Sequence, residues 1–345
     1  METRLLGNSG LQVSVLALGT MSFAGKEGSP RIGTTDVDEA RTMVDMCLDA
    51  GVNLFDTANT YAQGRSEEVL GQAIKGKRDR LLVATKVFGR MGDGPNDRGL
   101  SRAHIIKACE DSLRRLNTDY IDLYQAHGFD AFTPLDETLS AFDDLIRAGK
   151  VRYIGCSNYS AWHLMKALWT SEKYLLPRYV SHQVYYSLVG RELEYELVPL
   201  SLDQNVGILV WSPLAAGFLT GKFRRGQEGP SEVHRWSWDS DPAMQMSQDQ
   251  AYDVVETVID IAQQRGVTPT QVSLNWLLRK PGVTSVIFGA RNPQQLQDNL
   301  QAATWRLTDE EMDRLDAVSE LKPPYPYWHQ RKYAYPRNPG IPSKR

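Results

Sequence analysis

Short apolar runs alternate with segments of helical periodicity along most of this chain, and the alternation limits the folds open to it. Eight runs indicate strands, at residues 13–19, 53–56, 81–86, 120–126, 152–156, 180–185, 207–211 and 285–288. The intervening segments repeat apolar residues every three to four positions. They predict helices at 36–50, 66–74, 102–116, 135–147, 161–169, 195–204, 249–265 and 270–278. Strands separated by helices favour a parallel sheet that helices cover.

Two architectures have such a sheet. A doubly wound dinucleotide-binding sheet usually carries G-x-G-x-x-G after its first strand, whereas here that strand is followed by TMSF (20–23) and the fingerprint does not occur. Eight strand–helix units instead predict an α/β fold of the (β/α)8 TIM-barrel type, with a short N-terminal hairpin (3–6 and 11–13) and a long loop after strand seven. We predict one barrel domain over 1–322 and an extended C-terminal tail over 323–345.

Composition narrows the class of protein. The chain has 345 residues, 39 of them basic and 42 acidic, for a formal net charge of −3. It has no apolar run of about 18 residues, the length that a membrane span needs, and no basic patch for a nucleic acid. Three cysteines without a CxxC pair suit a reducing compartment, and the histidines show no metal-ligand spacing. We therefore expect a cytoplasmic protein without a metal site that binds neither membrane nor nucleic acid.

Four polar residues occupy positions where barrel enzymes carry their chemistry. Asp56 follows the second predicted strand, Lys86 ends the third, His127 follows the fourth, and Tyr61 lies in the loop after Asp56. Because the carboxyl ends of barrel strands meet on one face, these side chains should converge. A lysine ammonium beside a tyrosine favours the phenolate and lowers its pKa from about 10. The set therefore predicts a proton donor beside a group that polarises a carbonyl, and it needs a cofactor for any redox step.

Seven segments resemble the aldo-keto reductase superfamily, in order and through nearly the whole chain. They are NLFDTANTYAQGRSEEVLG (53–71), LLVATKVF (81–88), YIDLYQAHGFD (120–130), VRYIGCSNYS (151–160), VSHQVYYSL (180–188), ILVWSPLAAGFLTGKF (208–223) and VIFGARNPQQLQDNL (286–300). The resemblance implies a (β/α)8 barrel that reduces aldehydes or ketones with NADPH, or in some members NADH. It makes Tyr61 the general acid, Lys86 and Asp56 its tuning partners, and His127 the carbonyl-orienting group.

The same resemblance implies a cofactor site. Its residues would hold the nicotinamide, the pyrophosphate and the adenosine end, and they are Thr20, Met21, Asp56, Ser157, Asn158, Gln183, Trp211, Ser212, Leu214, Gly217, Arg235, Gly289, Arg291, Gln295 and Asn299. Arg291 favours NADPH, because a guanidinium binds a 2′-phosphate bidentately and gains little from a bare hydroxyl. The tail segment PYPYWHQR (324–331) resembles a subfamily that often carries a basic residue where this chain has Phe218. That departure weakens the preference for NADPH and leaves NADH possible.

The sequence leaves the substrate and two alternative functions open. Aromatic residues of the loops and the tail are candidate substrate contacts or, equally, core residues: Phe23, Phe88, Tyr159, Tyr185 and Trp328. An aromatic mouth favours uncharged aldehydes or bulky cyclic ketones. The arginine-containing stretch at 221–249 suggests a lid over an anionic ligand or a mobile loop. A cofactor-holding, redox-sensing subunit and a sugar-phosphate isomerase or lyase on the same barrel are the alternatives. The sequence predicts no particular substrate or oligomeric state.

Overall fold

A closed barrel of eight parallel strands is the centre of the computed structural model, which describes residues 1–28, 32–227 and 246–333. The barrel strands are β3 (Leu16–Gly19), β4 (Leu54–Asp56), β5 (Leu82–Val87), β6 (Ile121–Ala126), β7 (Val151–Ser157), β8 (Ser181–Tyr185), β9 (Gly207–Trp211) and β10 (Val283–Phe288). They pair in chain order, and β10 closes the barrel against β3. The predicted (β/α)8 barrel is confirmed.

Helices surround the barrel: α1 (Val37–Asp49), α2 (Arg65–Ala73), α3 (Arg102–Leu116), α4 (Leu135–Arg147), α5 (Ala161–Tyr174), α6 (Leu197–Gln204), α7 (Gln248–Arg265), α8 (Pro269–Leu278), α9 (Pro293–Gln301), α10 (Asp309–Val318) and α11 (Tyr327–Tyr333). Many start at a side chain that accepts a backbone N–H, as Asp36, Ser101 and Thr308 do. Among the described residues, no helix combines the length and the apolar character that a membrane span requires.

The N-terminal hairpin closes one end of the barrel. It consists of β1 (Thr3–Leu5) and β2 (Gln12–Ser14), which pair in antiparallel register. The prediction of a single strand at 13–19 was wrong, because β2 belongs to this hairpin and the barrel strand begins at Leu16. Leu6 and Val13 from the hairpin pack into the barrel interior in one apolar cluster with Ala17, Leu54, Ala84, Leu123, Leu209 and Ile287. The site must therefore lie at the opposite end, where the strands terminate.

The helix predictions needed three corrections. The helix predicted at 161–169 runs on to Tyr174 and ends where Leu175 adopts a left-handed conformation. α9 and α10 were missed, although Asn292 before Pro293 and the Thr308–Glu311 capping box mark their starts. The tail predicted as extended contains α11. The middle of the stretch predicted as a lid (221–249), residues 228–245 with Arg235, lies outside the described residues.

Candidate active site

The predicted catalytic side chains meet at the carboxyl ends of β4, β5 and β6. Lys86 is fully buried, and its Nζ donates to Asp56 Oδ1 at 2.5 Å and to the Thr57 carbonyl at 2.7 Å. The same Nζ lies 3.4 Å from the Tyr61 hydroxyl. Burial by itself would lower the pKa of Lys86, but the charges of Asp56 and Tyr61 outweigh it and raise that pKa above its ordinary value. Lys86 is therefore a charged ammonium.

Two glutamines complete the surroundings of Asp56. Gln183 Nε2 donates to Asp56 Oδ2 at 2.8 Å, and Gln125 Nε2 donates to the same oxygen at 3.2 Å. With Lys86 on the other oxygen, the buried carboxylate accepts three donors, which is how a charge is tolerated inside a protein. The sequence analysis missed Gln125. Its signal was a polar residue at an inward position of β6, two residues after Leu123.

Tyr61 lies on a short 3₁₀ turn beside His127. The two rings meet edge to face, with centroids 5.9 Å apart and an interplanar angle of 76°. Burial, and after it the Lys86 ammonium, lowers the pKa of His127 to about 3. His127 is therefore a neutral imidazole, which can still donate one N–H. The pair places a hydroxyl and an imidazole on one face of a shared cleft.

The ends of β7, β8 and β9 supply a second group of polar side chains. Trp211 Nε1 donates to Asn158 Oδ1 at 3.1 Å, and Asn158 Nδ2 donates to the His127 carbonyl at 3.1 Å. The Ser157 hydroxyl donates to the Gln183 carbonyl at 2.9 Å. Asn158 has a φ of 57°, a left-handed conformation that asparagine tolerates better than most residues. Through Asn158, these bonds connect the Trp211 ring with the backbone of His127 at the carboxyl ends of the strands.

A cleft of about 900 Å³ joins the two groups and extends beyond them. The predicted residues that line it are Met21, Asp56, Tyr61, His127, Ser157, Asn158, Gln183, Trp211, Ser212, Leu214, Gly217, Gly289, Arg291, Gln295 and Asn299. Lining residues that the sequence analysis missed include Ser22, Lys222, Thr268, Gln294 and Asp298. A larger cavity, of about 1080 Å³, lies against α5, α6 and α11, and none of the four predicted catalytic residues lines it.

The backbone leaves room at the far part of this cleft. A Cβ on Gly289 would have no heavy atom within 4 Å, so the glycine leaves an open groove. Arg291 follows at the rim, and its backbone N–H donates to Gln295 Oε1 at 3.0 Å. After β9, the loop takes left-handed conformations at Ser212, Ala216 and Gly217. Such backbone is costly and is found mainly where a site requires it.

Several predicted contacts do not line the cleft. Thr20, predicted for the cofactor, is fully buried, and its hydroxyl lies 3.0 Å from that of Ser66. Phe23 is also fully buried in the apolar core. Tyr159 is 2% exposed and packs edge to face on Tyr179, at 5.9 Å between centroids. The structure thus buries all three residues, and their predicted contacts with cofactor or substrate stay predictions.

The remaining aromatic predictions lie outside the cleft lining. Phe88 is half-buried and packs against the core. Tyr185 contacts the Trp211 ring at 5.1 Å between centroids, and its hydroxyl lies 3.1 Å from that of Ser187. Trp328 lies on α11 beside Tyr325, 44% exposed. Tyr185 thus contacts a residue that lines the cleft.

Comparison with known proteins identifies the family of this chain. The model of the aldo/keto reductase family matches residues 15–320. A Bacillus subtilis protein named "Uncharacterized oxidoreductase YrpG" is 38% identical over 329 residues, which cover 92% of this chain and 96% of that protein. Proteins named "Probable voltage-gated potassium channel subunit beta" are 36% identical, over 332 residues in Arabidopsis thaliana and over 329 in rice. Those matches cover 94% of this chain, and 99% and 98% of the relatives.

The family consists of oxidoreductases that use nicotinamide cofactors. Its match spans the whole barrel, from Val15 before β3 to Glu320 after α10. The relatives align over nearly their full length, so the likeness covers the strand ends that carry the cleft as well as the scaffold. By sequence, by fold and by the residues gathered at the mouth of its barrel, the chain belongs to the aldo/keto reductase family.

Proposed function

We propose that this protein reduces an aldehyde or a ketone to the corresponding alcohol, with NADPH as the preferred cofactor and NADH as a weaker one. The observation that carries the proposal is the chain of contacts from Tyr61 through Lys86 to Asp56 at the base of the cleft. A hydroxyl next to a buried ammonium is a proton donor whose conjugate base is stabilised. A small-molecule carbonyl compound is the matching substrate class.

The cleft fits a nicotinamide dinucleotide by its donors and its shape. The amide nitrogen of Gln183 donates to Asp56. Its side-chain carbonyl oxygen is therefore the atom suited to accept a hydrogen bond from the carboxamide NH2 of a nicotinamide. Ser157 and Asn158 add polar atoms beside it, and Trp211 offers an aromatic face. The open backbone at Gly217 and Gly289 leaves space for the phosphates. When bound, the cofactor supplies a hydride to the carbonyl carbon.

The four residues at the base of the cleft have separate roles in this reaction. Tyr61 gives its proton to the carbonyl oxygen as the C–H bond forms, so that a C=O group becomes CH–OH. Lys86 stabilises the phenolate that remains, and Asp56 holds Lys86 in place and charged. His127, neutral, donates a hydrogen bond to the carbonyl oxygen and stabilises the charge that develops there. Proton donation of this kind contributes about 10²–10⁴-fold in rate.

A substrate panel tests the proposal. Aldehydes, cyclic ketones and sugars are each mixed with the protein and either NADPH or NADH, and nicotinamide absorbance is followed. We expect turnover with at least one class of carbonyl compound and higher kcat/KM with NADPH. If the cofactor binds but no member of the panel oxidises it, the reductase proposal is contradicted.

Arg291 provides a test of cofactor preference. Arg291→Ala removes a guanidinium from the rim of the cleft, where a 2′-phosphate would be held. A hydrogen bond to a charged group contributes about 1.5–3 kcal/mol, so we expect Kd for NADPH to rise about 10–100-fold, and Kd for NADH by less than about twofold. Nicotinamide fluorescence titration measures both. Arg306→Ala, an exposed arginine outside the cleft, is the control, and equal weakening of both cofactors would contradict the assignment.

The low pKa of His127 predicts a pH dependence of stability. Its folded value of about 3 lies below the ordinary value of about 6.5. As the pH falls through this interval, the unfolded chain binds a proton that the folded protein excludes, so the free energy of unfolding decreases. In urea denaturation at several pH values, His127→Gln should lose less stability on acidification than the parent. Identical pH dependence in both would contradict the prediction.

A matched variant separates stability from chemistry. Burial also lowers the pKa of His182 to about 3, and His182 accepts the Tyr159 backbone N–H rather than lining the cleft. His182→Gln should therefore flatten the pH dependence of stability as His127→Gln does. Turnover should fall only in His127→Gln, because only His127 lies next to Tyr61.

A second function is supported by the names of two relatives. The Arabidopsis and rice proteins are named as potassium channel subunits, and they align with this chain almost end to end. A subunit of that kind would hold the cofactor and turn it over negligibly. The substrate panel distinguishes the two functions, since tight NADPH binding without turnover would favour the subunit. A cytoplasmic location is part of the proposal in either case.

A further inference from the structure

Three successive residues after Tyr61 have left-handed backbone. The φ angles are 46° at Ala62, 54° at Gln63 and 94° at Gly64. Only the glycine adopts such a conformation without strain, so alanine and glutamine must be held there by contacts elsewhere. The turn directly precedes α2, so the first residues of α2 are the place to look for those contacts.

Ser66, at the start of α2, is tied to two strand ends. Its hydroxyl donates to the Thr20 carbonyl at 2.7 Å and lies 3.0 Å from the hydroxyls of both Thr20 and Thr57. All three residues are fully buried. The bonds hold the start of the helix against the ends of β3 and β4.

Glu67, the next residue, is a fully buried carboxylate. Its Oε1 accepts the Thr85 hydroxyl at 2.5 Å, and its Oε2 accepts Arg115 Nε at 2.7 Å. Thr85 is the residue before Lys86 on β5, and Arg115 lies near the end of α3. Arg115 also packs against the strained turn. Its Cδ lies so close to Gly64 that a Cβ placed on this glycine would be only 2.7 Å away. One ion pair thus joins the turn after Tyr61 to the strand that carries Lys86.

We propose that Glu67 and Arg115 are positioning residues that set the distance between the Tyr61 hydroxyl and Lys86. The expected effect on turnover rests on the proposed function, whereas the positioning of Tyr61 is argued from the contacts alone. At 3.4 Å the Tyr61 contact is the longest of the three that Lys86 makes, the others being 2.5 and 2.7 Å. A small relaxation of the turn would break it. Neither residue of the ion pair lines the cleft.

The chain contains a matched ion pair at the other end of the barrel. Arg78 Nη2 lies 2.6 Å from Asp122 Oδ2, and that carboxylate also accepts the Val83 N–H of β5 at 2.8 Å. Both pairs therefore join an arginine and a carboxylate to β5. The arginine side chains are 19% exposed at Arg115 and 16% at Arg78. Only the Glu67–Arg115 pair contacts the Tyr61 turn.

The first experiment compares Arg115→Met with Arg78→Met. We expect kcat to fall about 10²-fold in Arg115→Met, the size of effect that a displacement of about 1 Å can cause, with Kd for NADPH unchanged within about twofold. Arg78→Met should lose at least as much stability in urea denaturation and keep kcat within about twofold of the parent. Unchanged kcat in Arg115→Met would overturn the proposal, and so would equal losses of kcat in Arg115→Met and Arg78→Met.

A double variant gives a readout that does not depend on turnover. Glu67→Met/Arg115→Met removes one charge of each sign and replaces the pair with apolar groups, an exchange that often leaves stability intact even when a single change prevents folding. Tyrosinate absorbance is titrated without cofactor, and the signal of Tyr61 is obtained by subtracting the matching Tyr61→Phe protein. We expect Tyr61 to ionise at higher pH in the double variant, because its hydroxyl has moved away from the ammonium.

The two readouts separate the two possible failures. If the parent protein shows no turnover with any carbonyl compound, the proposed function fails, and the titration alone decides the role of the ion pair. If Tyr61 ionises at the same pH in the parent and in the double variant, the positioning role is overturned whatever the turnover. Because the double variant removes one negative and one positive charge, their direct electrostatic effects on Tyr61 largely cancel. A rise in the pH at which Tyr61 ionises therefore reports a change in the position of its hydroxyl.

Discussion

Tyr61→Phe should turn over its substrate about 10²–10⁴-fold more slowly than the parent, while binding NADPH with a similar Kd. The change removes only the hydroxyl that contacts Lys86 at 3.4 Å, and it leaves the edge-to-face contact with the His127 ring. Loss of the proton donor affects the chemical step rather than binding. Steady-state kinetics and a fluorescence titration of NADPH measure the two quantities separately.

A second tyrosine serves as the control for this variant. The Tyr195 hydroxyl donates to the Leu321 carbonyl at 2.8 Å, outside the cleft, so Tyr195→Phe removes a hydroxyl without touching the proposed chemistry. It should retain parental kcat. A Tyr61→Phe protein with parental turnover would exclude Tyr61 as the acid, and a loss confined to NADPH affinity would assign it to binding instead.

Lys86→Met should remove both turnover and a large part of the stability. The change leaves Asp56 buried without its cation, and breaking a buried ion pair in this way costs about 3–5 kcal/mol. Because the pKa of Lys86 is raised in the folded state, the pair contributes fully below the unfolded value of about 10.4 and is lost as the pH rises through the folded value. At pH 7 the whole contribution is therefore present. Urea denaturation at pH 7 measures the loss.

A double variant separates the two effects of Lys86. Asp56→Leu/Lys86→Met removes both charges, so it should recover part of the stability that Lys86→Met loses. It should recover none of the turnover, because the ammonium that stabilises the Tyr61 phenolate is still missing. A single variant as stable as the parent, or a double variant with restored turnover, would contradict the role given to this pair.

The barrel and the location of its site could be predicted because both follow from local patterns. Strand–helix alternation selects a parallel sheet, and eight repeats close it. The ends of parallel strands meet on one face, so Asp56, Lys86 and His127 could be grouped although 71 positions separate the first from the last. The family resemblance added the cofactor residues. Fifteen of the predicted positions line the cleft, and they include Asp56, Tyr61 and His127. Arg235 lies outside the described residues.

Contacts that depend on packing could not be predicted in the same way. Thr20, Phe23 and Tyr159 follow strand ends just as the residues that line the cleft do, yet the structure buries all three. Whether a loop residue points into the cleft or into the core depends on which distant side chain fills the space beside it. Tyr159 is held inward by Tyr179, twenty residues further along the chain.

The sequence by itself determined the architecture, the end of the barrel that carries the candidate site and the four residues proposed as catalytic, because each of these depends on the order of strands and on residue type. Only the tertiary structure revealed the two glutamines on Asp56 and the Glu67–Arg115 pair behind the Tyr61 turn. Those contacts join residues that lie between 48 and 127 positions apart. Their partners are chosen by the packing of whole helices against the barrel, which no local pattern encodes.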